Sequence, residues 1–545
     1  MVMVAAVYLC RLFYLQVIDD SYKFYADQNA LRHITIPPPR GLIYDRNDSL
    51  LVYNEAAYDL MVVPKELREF DTNDLCRILD IEKSELIRRI EKAANYSPMI
   101  PSVIEQQMAK AEYGYLQEKL YRFPGFFVQN RTLRYYPTPI AAHILGYVGE
   151  VNQEVLEKDG YYQMGDYIGI SGIEKAYESE LRGEKGKRVV LVDVHNRERG
   201  SFQNGELDQN AVSGLPLWSS LDLRLQEFAE KQLNGRSGSV VAIEPSTGEL
   251  LCVVSSPSYD PNLLVGTSRS KNYRDLLNDT KKKPLFNRAL SAMYPPGSTF
   301  KLANALIGLQ EGVITPATAF PCHHGYQMGS HTVHCHHSGS LDLYTAIQSS
   351  CNGYFCKLLY VILSNRKSYK NVQEAYTAWR DYMVRFGFGQ KFESDLPYET
   401  RGIIPTADYF NKQYRGSWNP NTVISMGIGQ GEVAVTPIQM ANFIAIIANR
   451  GWYIKPHVIK AIGRKDNINS RYKEKIYCGI EEKYFEPVIK GMEMVMQNGT
   501  GWRSAVKDIR IAGKTGTAQN PHGADHSVFA LIAPANDPKI VIFCL

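Results

Sequence analysis

Three short motifs follow one another in a fixed order along this chain of 545 residues, and together they limit the folds that it can adopt. They are Ser298-Thr299-Phe300-Lys301, Ser350-Cys351-Asn352 and Lys514-Thr515-Gly516. Each alone is common, because a Ser-x-x-Lys at a helix start is usually a cap with a solvated lysine, and the other two usually mark a turn and a strand end. All three in this order predict a serine acyl-transfer site, which the fold must bring together.

The first motif supplies the candidate nucleophile, Ser298. Pro295-Pro296-Gly297 predicts a rigid loop and the apolar run 300–307 a buried helix, so Ser298 lies at the helix start with Lys301 one turn further on the same face. A serine hydroxyl is a weak nucleophile and needs a base. Lys301 can serve only when it is neutral, and burial or a nearby cation, for which Lys514 is the candidate, would lower its pKa. Direct and water-mediated proton transfer are both open.

The second motif is expected to line the opposite wall of the site. Ser350 would pass protons between the other groups. Asn352 would hold either a substrate amide or the ammonium group of Lys301. The cysteine between them is predicted to be a packing residue.

The third motif predicts a strand at the edge of the site. Small residues surround Lys514, Gly516 among them, and this suits a strand that a ligand backbone approaches closely. Lys514, Thr515 and Thr517 offer one cation and two hydroxyls, enough to clamp a substrate carboxylate. The backbone N–H groups of Ser298 and Thr517 are the candidates for an oxyanion hole, which usually contributes most to the catalysis of acyl transfer.

These motifs and several upstream boxes resemble the class B penicillin-binding proteins, most closely their elongation type, from about residue 11 to the end of the chain. The resemblance implies a peptidoglycan D,D-transpeptidase that cross-links stem peptides during cell-wall elongation and is acylated by β-lactams. It implies no cofactor for catalysis and assigns the catalytic roles to Ser298, Lys301, Ser350, Asn352 and Lys514. The boxes are residues 40–47, 134–137, 142–147, 172–178, 181–183 and 425–431.

The resemblance also implies a location and partners. The chain would be a single-pass protein of the inner membrane with its catalytic domain in the periplasm. It shows no glycosyltransferase segment, so glycan polymerisation would belong to a membrane-embedded polymerase of the shape, elongation, division and sporulation (SEDS) family, working with other elongation-complex proteins. A division-type transpeptidase, a serine β-lactamase or carboxypeptidase, and a non-catalytic β-lactam sensor remain as alternatives, although a soluble hydrolase would have no need of the long N-terminal region.

Patterning divides the chain into three parts. Residues 1–18 are mostly apolar but shorter than the 20 or so residues of a full span, which predicts a truncated transmembrane anchor, with a buried amphipathic helix as the alternative. For the mixed, irregular residues 19–215 the resemblance implies an elongated pedestal of the dimerisation type, and for residues 216–545 a transpeptidase domain, here without its C-terminal helix. Hairpins predicted within 239–254 and 528–545 enclose helical segments, which indicates an α+β fold with an antiparallel sheet flanked by helices.

Residues 322–337 stand out because they hold six of the twelve histidines and two of the nine cysteines of the chain. Cysteine and neutral histidine are the preferred ligands of zinc, and a structural site usually takes four of them. We favour Cys322, Cys335 and His337 with His324 as the fourth ligand, and some elongation-type relatives carry a metal near this position. A Cys322–Cys335 disulfide, which the periplasm would permit, and a plain polar loop are the alternatives.

Composition excludes other classes of function. A net charge of +4 with 22% charged residues is an ordinary balance and argues against a nucleic-acid-binding protein, which would show a concentrated basic face. The run Gly427-x-Gly429-x-Gly431 lacks both the Lys-Ser/Thr of a phosphate-binding loop and the Rossmann spacing, so no nucleotide site is predicted.

Overall fold

The computed structural model describes residues 31–108, 110–163, 165–192, 198–328, 331–520 and 523–545, which form an α+β protein as predicted. The strands are β1 Leu31–Ile36, β2 Ile43–Tyr44, β3 Leu50–Val62, β4 Ser102–Met108, β5 Phe126–Tyr135, β6 Val148–Glu150, β7 Tyr167–Gly169, β8 Gly186–Val192, β9 Glu198–Ser201, β10 Leu217–Ser219, β11 Gly238–Ile243, β12 Leu250–Ser256, β13 Phe320–Met328, β14 His331–Leu341, β15 Trp452–Tyr453, β16 Ile459–Ile462, β17 Ile476–Tyr477, β18 Ala512–Ala518, β19 His526–Ala533 and β20 Ile540–Cys544. The helices are α1 Thr72–Leu79, α2 Lys83–Tyr96, α3 Lys110–Lys119, α4 Ala142–Leu145, α5 Gln153–Lys158, α6 Gly172–Ala176, α7 Glu178–Leu181, α8 Leu223–Leu233, α9 Arg269–Asn278, α10 Arg288–Ser291, α11 Lys301–Gln310, α12 Leu343–Gln348, α13 Asn352–Leu363, α14 Val372–Arg385, α15 Ala407–Gln413, α16 Pro437–Ala448 and α17 Phe485–Asn498.

Five antiparallel strands form the central sheet of the C-terminal part, in the order β12-β11-β20-β19-β18. Both predicted hairpins are confirmed, since β11 pairs with β12 and β19 with β20. Helix α8 packs against β12, α16 against β20 and β11, and α17 against β18. Because helices cover the sheet, β11 and β12 are buried almost throughout, which explains their continuous apolar sequence. The edge strand β18 carries the third motif.

Two helices in the core of this part carry the other motifs at their ends. Helix α11 is buried from Lys301 to Leu309, so it is a core helix without a solvent face. Helix α13 packs against it, and the hairpin β13–β14 covers α13 on another side. The N-terminus of α13 is capped by Cys351, whose Sγ accepts the N–H of Tyr354 at 3.4 Å. The first two motifs therefore meet where these helices begin.

In the N-terminal part, the long strand β3 pairs with β2, β4 and β5. Sequence patterning predicts helices near residues 80–94 and 106–122. The first is α2, whereas the second region begins as the end of β4 and becomes helical only at α3. Most of the second region is therefore helical as predicted, and only its first residues differ, because β4 pairs with β3 and extends to Met108.

A buried ion-pair group ties together the upstream boxes. Glu174 is fully buried and accepts hydrogen bonds from Arg40 at 2.7 Å and from Arg134 at 2.6 Å. Burial alone would raise the pKa of Glu174, but the attraction of Arg134 and Arg40 outweighs it, and the pKa lies below its ordinary value. A Cβ on Gly41 would lie 1.9 Å from the carbonyl oxygen of Leu215, so only glycine fits there. These box residues hold the chain together at a junction.

Within the described residues, no helix has both the length and the apolar character that crossing a membrane requires. The predicted anchor, residues 1–18, lies outside the described residues.

Candidate active site

Ser298 lies in a 3-10 turn, Gly297–Phe300, that leads directly into α11. Gly297 has a φ of 56°, and a Cβ there would come within 2.9 Å of the carbonyl oxygen of Thr517, so the turn requires glycine. The Gly297 N–H donates to Gly429 at 2.9 Å, and the Thr299 hydroxyl donates to Pro296 at 2.6 Å. The Ser298 side chain is half-buried, held on a turn that is fixed on both sides.

Lys301 begins α11 one turn after Ser298 and is fully buried. Its Nζ donates to the backbone oxygen of Ser350 at 2.7 Å, to Ser350 Oγ at 3.2 Å and to Asn352 Oδ1 at 2.7 Å. Burial lowers the pKa of Lys301 to about 8. A tenth or so of this lysine is therefore neutral at pH 7, which is the form a general base needs.

Ser350 lies between α12 and α13 with a φ of 58°, a conformation that serine rarely adopts. The kink turns its hydroxyl toward both lysines: Lys514 Nζ donates to Ser350 Oγ at 2.8 Å, and Lys301 Nζ donates from the other side. Both oxygen lone pairs are thereby used. The single hydroxyl hydrogen of Ser350 is left to donate to a third group, such as Ser298 or a leaving amine.

Asn352 is held in one orientation by the hairpin strand β14. Its side-chain Nδ2 donates to the carbonyl oxygen of His334 at 2.8 Å, and its backbone N–H donates to Cys335 Sγ at 3.2 Å. With the amide nitrogen so engaged, Oδ1 must face Lys301. The prediction left open whether Asn352 holds Lys301 or a substrate amide, and in this structure it holds Lys301.

Strand β18 closes the site on the side of the third motif. Lys514 is fully buried, and its pKa is lowered well below the ordinary value by burial and then by the charge of Lys301. A Cβ on Gly516 would lie 3.2 Å from the Ser298 backbone nitrogen, so the strand passes close to the nucleophile turn. Thr515 is half-buried and Thr517 is exposed on the same edge. The Lys514 side chain and the two threonine hydroxyls thus lie on the strand that runs beside the Ser298 turn.

A group of three buried thiols lies directly behind the second motif. Cys322, Cys335 and Cys351 have their sulfur atoms within 4.8 Å of one another, and Cys335 Sγ is 3.7 Å from Cys351 Sγ. His337 Nδ1 is 3.1 Å from Cys335 Sγ. The hydrogen bond between the two thiols lowers the pKa of Cys335 and raises that of Cys351. None of the eight cysteines in the described residues is joined in a disulfide.

The grouping differs from the four ligands predicted from the sequence. Of the four predicted ligands, Cys322 and Cys335 lie in the group, and its third member is Cys351. His337 contacts Cys335 but is not one of the grouped residues, and His324 lies exposed at a bulge of the hairpin with a φ of 56°. The thiols suit a metal by their chemistry, since a tetrahedral zinc with Zn–S bonds of about 2.3 Å holds two sulfurs about 3.8 Å apart. The alternative of a Cys322–Cys335 disulfide is not borne out, because both residues are free thiols in the structure.

Comparison with known proteins decides the family. The family model described as "Penicillin binding protein transpeptidase domain" matches residues 238–545, more than half of the chain, and the one described as "Penicillin-binding Protein dimerisation domain" matches residues 35–217. The chain belongs to the penicillin-binding proteins. It is 34% identical to the peptidoglycan D,D-transpeptidase MrdA of Acinetobacter baumannii over 98% of this chain and 81% of that protein.

Two solved structures resemble this penicillin-binding protein over nearly its full length. Penicillin-binding protein 2 (PBP2) of Helicobacter pylori in complex with MreC matches with a TM-score of 0.78 and 27% identity, over 94% of each chain. A chain of a peptidoglycan synthase complex, solved to explain how polymerization and crosslinking are coordinated, matches with a TM-score of 0.72 and 28% identity, over 99% of this chain and 92% of that one.

Sequence reasoning missed three features of the site in this penicillin-binding protein. Cys351 joins the thiol group, and its position between two motif residues was the available signal. No sequence pattern indicated the hydrogen bonds from Asn352 to His334 and Cys335, because they depend on how the hairpin β13–β14 packs against α13. Thr500, which contacts the third motif through a 2.6 Å hydroxyl–hydroxyl hydrogen bond to Thr515, was also missed.

Proposed function

We propose that this chain, a peptidoglycan D,D-transpeptidase of the elongation type by family, forms its acyl-enzyme on Ser298. The observation that carries the proposal is the convergence of two buried lysines on Ser350, with Lys301 also one turn from Ser298. A buried lysine whose pKa is lowered to about 8 is a base matched to neutral pH, and a site without it would lack a proton acceptor.

In the acylation half-reaction, neutral Lys301 takes the hydroxyl proton of Ser298, and Oγ attacks the carbonyl carbon of the penultimate D-Ala of a stem pentapeptide. The backbone N–H groups of Ser298 and Thr517 stabilise the oxyanion. The C–N bond to the terminal D-Ala then breaks. The hydroxyl hydrogen of Ser350 passes to the leaving amine, and the Lys301 ammonium replaces it. Released D-Ala leaves the acyl group on Ser298.

In the second half-reaction the amine of a neighbouring stem peptide attacks the acyl carbon, Lys301 accepts its proton, and Ser298 recovers a hydrogen as its oxygen leaves. The new amide is the cross-link. Lys514 and the hydroxyls of Thr515 and Thr517 hold the terminal carboxylate of the donor. A β-lactam, whose ring amide and carboxylate match this donor end, acylates the same serine.

We extend the proposal to the domains, location and partners of the chain. Residues 19–215 form the pedestal and residues 216–545 the transpeptidase domain, anchored by a single span in the inner membrane with the active site in the periplasm. The H. pylori PBP2 complex with MreC and the peptidoglycan synthase complex are the support for partners among elongation-complex proteins. A SEDS-family polymerase would supply the glycan strands.

A second component of the proposal is a structural zinc ion held by Cys322, Cys335 and Cys351, with His337, which contacts Cys335, as the candidate fourth ligand. Zinc bound there would clip the hairpin β13–β14 to the start of α13, and no catalytic step passes through it. The test is the zinc content of the purified chain with Cys322→Ser and, as a matched control, Cys544→Ser on β20. One zinc per chain, lost only with Cys322→Ser, is expected. Equal zinc in both variants, or none in the unaltered chain, contradicts the assignment.

The function is tested by incubating the chain with benzylpenicillin and measuring intact mass. We expect one covalent adduct of the full mass of the drug, which disappears in Ser298→Ala and persists in Ser291→Ala, a serine outside the three motifs whose hydroxyl donates to the Tyr398 carbonyl. An adduct that survives Ser298→Ala refutes the assignment of the nucleophile. Rapid turnover of the penicillin without a lasting adduct would favour a hydrolase.

A further inference from the structure

The loop that follows α17 is fixed against the second and third motifs. Gln348 Nε2 donates to Asn498 Oδ1 at 2.5 Å, and the Thr500 N–H donates to the Gln348 carbonyl at 3.4 Å. A Cβ on Gly499 would lie 2.6 Å from Val495 and 2.7 Å from the Gln348 oxygen, so the backbone is tightly seated there. Gln348 is two residues before Ser350, so the loop is positioned by the same segment as the catalytic serine hydroxyl.

This loop presents one side chain to the third motif. Thr500 Oγ1 is 2.6 Å from Thr515 Oγ1, and Thr500 is exposed beside the cleft edge. A hydroxyl has one hydrogen to donate, and a carboxylate only accepts. If Thr515 donates its hydrogen to a substrate carboxylate, the hydrogen between the two threonines must come from Thr500. The direction of the hydrogen-bond chain is therefore fixed as Thr500 to Thr515 to carboxylate.

We propose that Thr500 is a positioning residue for the terminal carboxylate of the donor, acting through the hydroxyl of Thr515. This rests on the proposed function, in which the third motif holds that carboxylate. By donating to the Thr515 oxygen, the Thr500 hydroxyl leaves the Thr515 hydrogen pointing toward the ligand carboxylate. It also strengthens the hydrogen bond from Thr515 to that carboxylate, since linked hydrogen bonds polarise one another. The effect is confined to ligands that carry the carboxylate.

The test compares acylation by benzylpenicillin with acylation by its methyl ester, which lacks the carboxylate. Thr500→Val keeps the shape of the side chain and removes the hydroxyl, and Thr500→Ser restores the hydroxyl. We expect Thr500→Val to slow acylation by benzylpenicillin about tenfold, the upper end of the effect of losing one neutral hydrogen bond, and to change acylation by the ester less than twofold. Thr500→Ser should remain within twofold of the unaltered chain for both compounds.

Two controls separate this role from a structural one. Thr377→Val, on the exposed side of α14, should leave both rates unchanged. In a Thr515→Val background, adding Thr500→Val should cost less than a further twofold, because the two hydroxyls act in series. Equal slowing with penicillin and ester, no slowing with penicillin, or a full tenfold further loss in the Thr515→Val background overturns the proposal. If the unaltered chain is not acylated by benzylpenicillin, the proposed function is refuted instead. The two failures are distinguishable because the unaltered chain is assayed before the variants.

Discussion

The pH dependence of acylation follows directly from the surroundings of Lys301. Burial lowers the pKa of this lysine to about 8, and only its neutral form accepts the proton of Ser298. The neutral fraction is about 1% at pH 6, about 9% at pH 7, about 50% at pH 8 and about 91% at pH 9. The rate should therefore rise about ninefold from pH 6 to 7, about fivefold from pH 7 to 8, and less than twofold from pH 8 to 9.

The assay is the second-order rate constant for acylation by a chromogenic cephalosporin, measured by stopped flow from pH 6 to 9, with the melting temperature recorded at each pH. The carboxylate of the cephalosporin stays ionised over this range, so the profile reports the enzyme. A rate that is flat or falls with rising pH, in a chain that remains folded, would refute the role of Lys301 as a base.

Three other changes test the account. Asn352→Asp places a carboxylate where Oδ1 now lies 2.7 Å from Lys301 Nζ, and a neighbouring carboxylate raises the pKa of a lysine by about one to three units. The midpoint of the pH profile of acylation should therefore move above pH 9. An unchanged midpoint would contradict the contact between Asn352 and Lys301. Gly297→Ala puts a methyl group 2.9 Å from the Thr517 carbonyl oxygen, on a residue with a φ of 56°. Acylation should fall by roughly a hundredfold, and the unfolding free energy measured by denaturant titration should fall by at least about 1 to 2 kcal/mol. Full activity would show that the turn is not constrained. Glu174→Gln leaves buried Arg134 without its carboxylate and Arg40 with Glu178 as its remaining partner. It should cost about 3 to 5 kcal/mol in the same titration, while acylation of the molecules that remain folded is unchanged. A loss under about 1 kcal/mol would mean that the buried group matters little.

The features that the sequence predicted well are those in which a local residue pattern agrees with the burial and pairing of the same residues in the fold. Ser298 and Lys301 belong to one helix start, and glycine at 297 and the apolar run after it mark both its conformation and its burial. The hairpins β11–β12 and β19–β20 join apolar strands through short polar turns, and these strands lie in the central sheet. In such places residue spacing alone determines which groups meet.

Predictions failed or stayed incomplete where the contact partner lies far along the chain. The helix predicted near residues 106–122 starts later than expected, at Lys110, because β4 extends to Met108 and pairs there with β3. Cys351 looks like a packing residue in its own segment and becomes one of three grouped thiols only because the hairpin β13–β14 folds onto α13. His324, close in sequence to Cys322, is turned outward by a bulge in that hairpin. No local sequence periodicity predicts these contacts between segments that are distant along the chain.

The central claim is that Ser298 carries an acyl group which an amine resolves. The most direct measurement incubates the chain with a D-alanyl thioester donor and follows the acyl-enzyme by mass spectrometry of its proteolytic peptides, with and without D-alanine as the acceptor amine. The account predicts an acyl group on the peptide containing Ser298, whose release accelerates as the amine concentration rises and gives the amide product. An acyl group on any other residue, or release by water at a rate that the amine does not change, would contradict it.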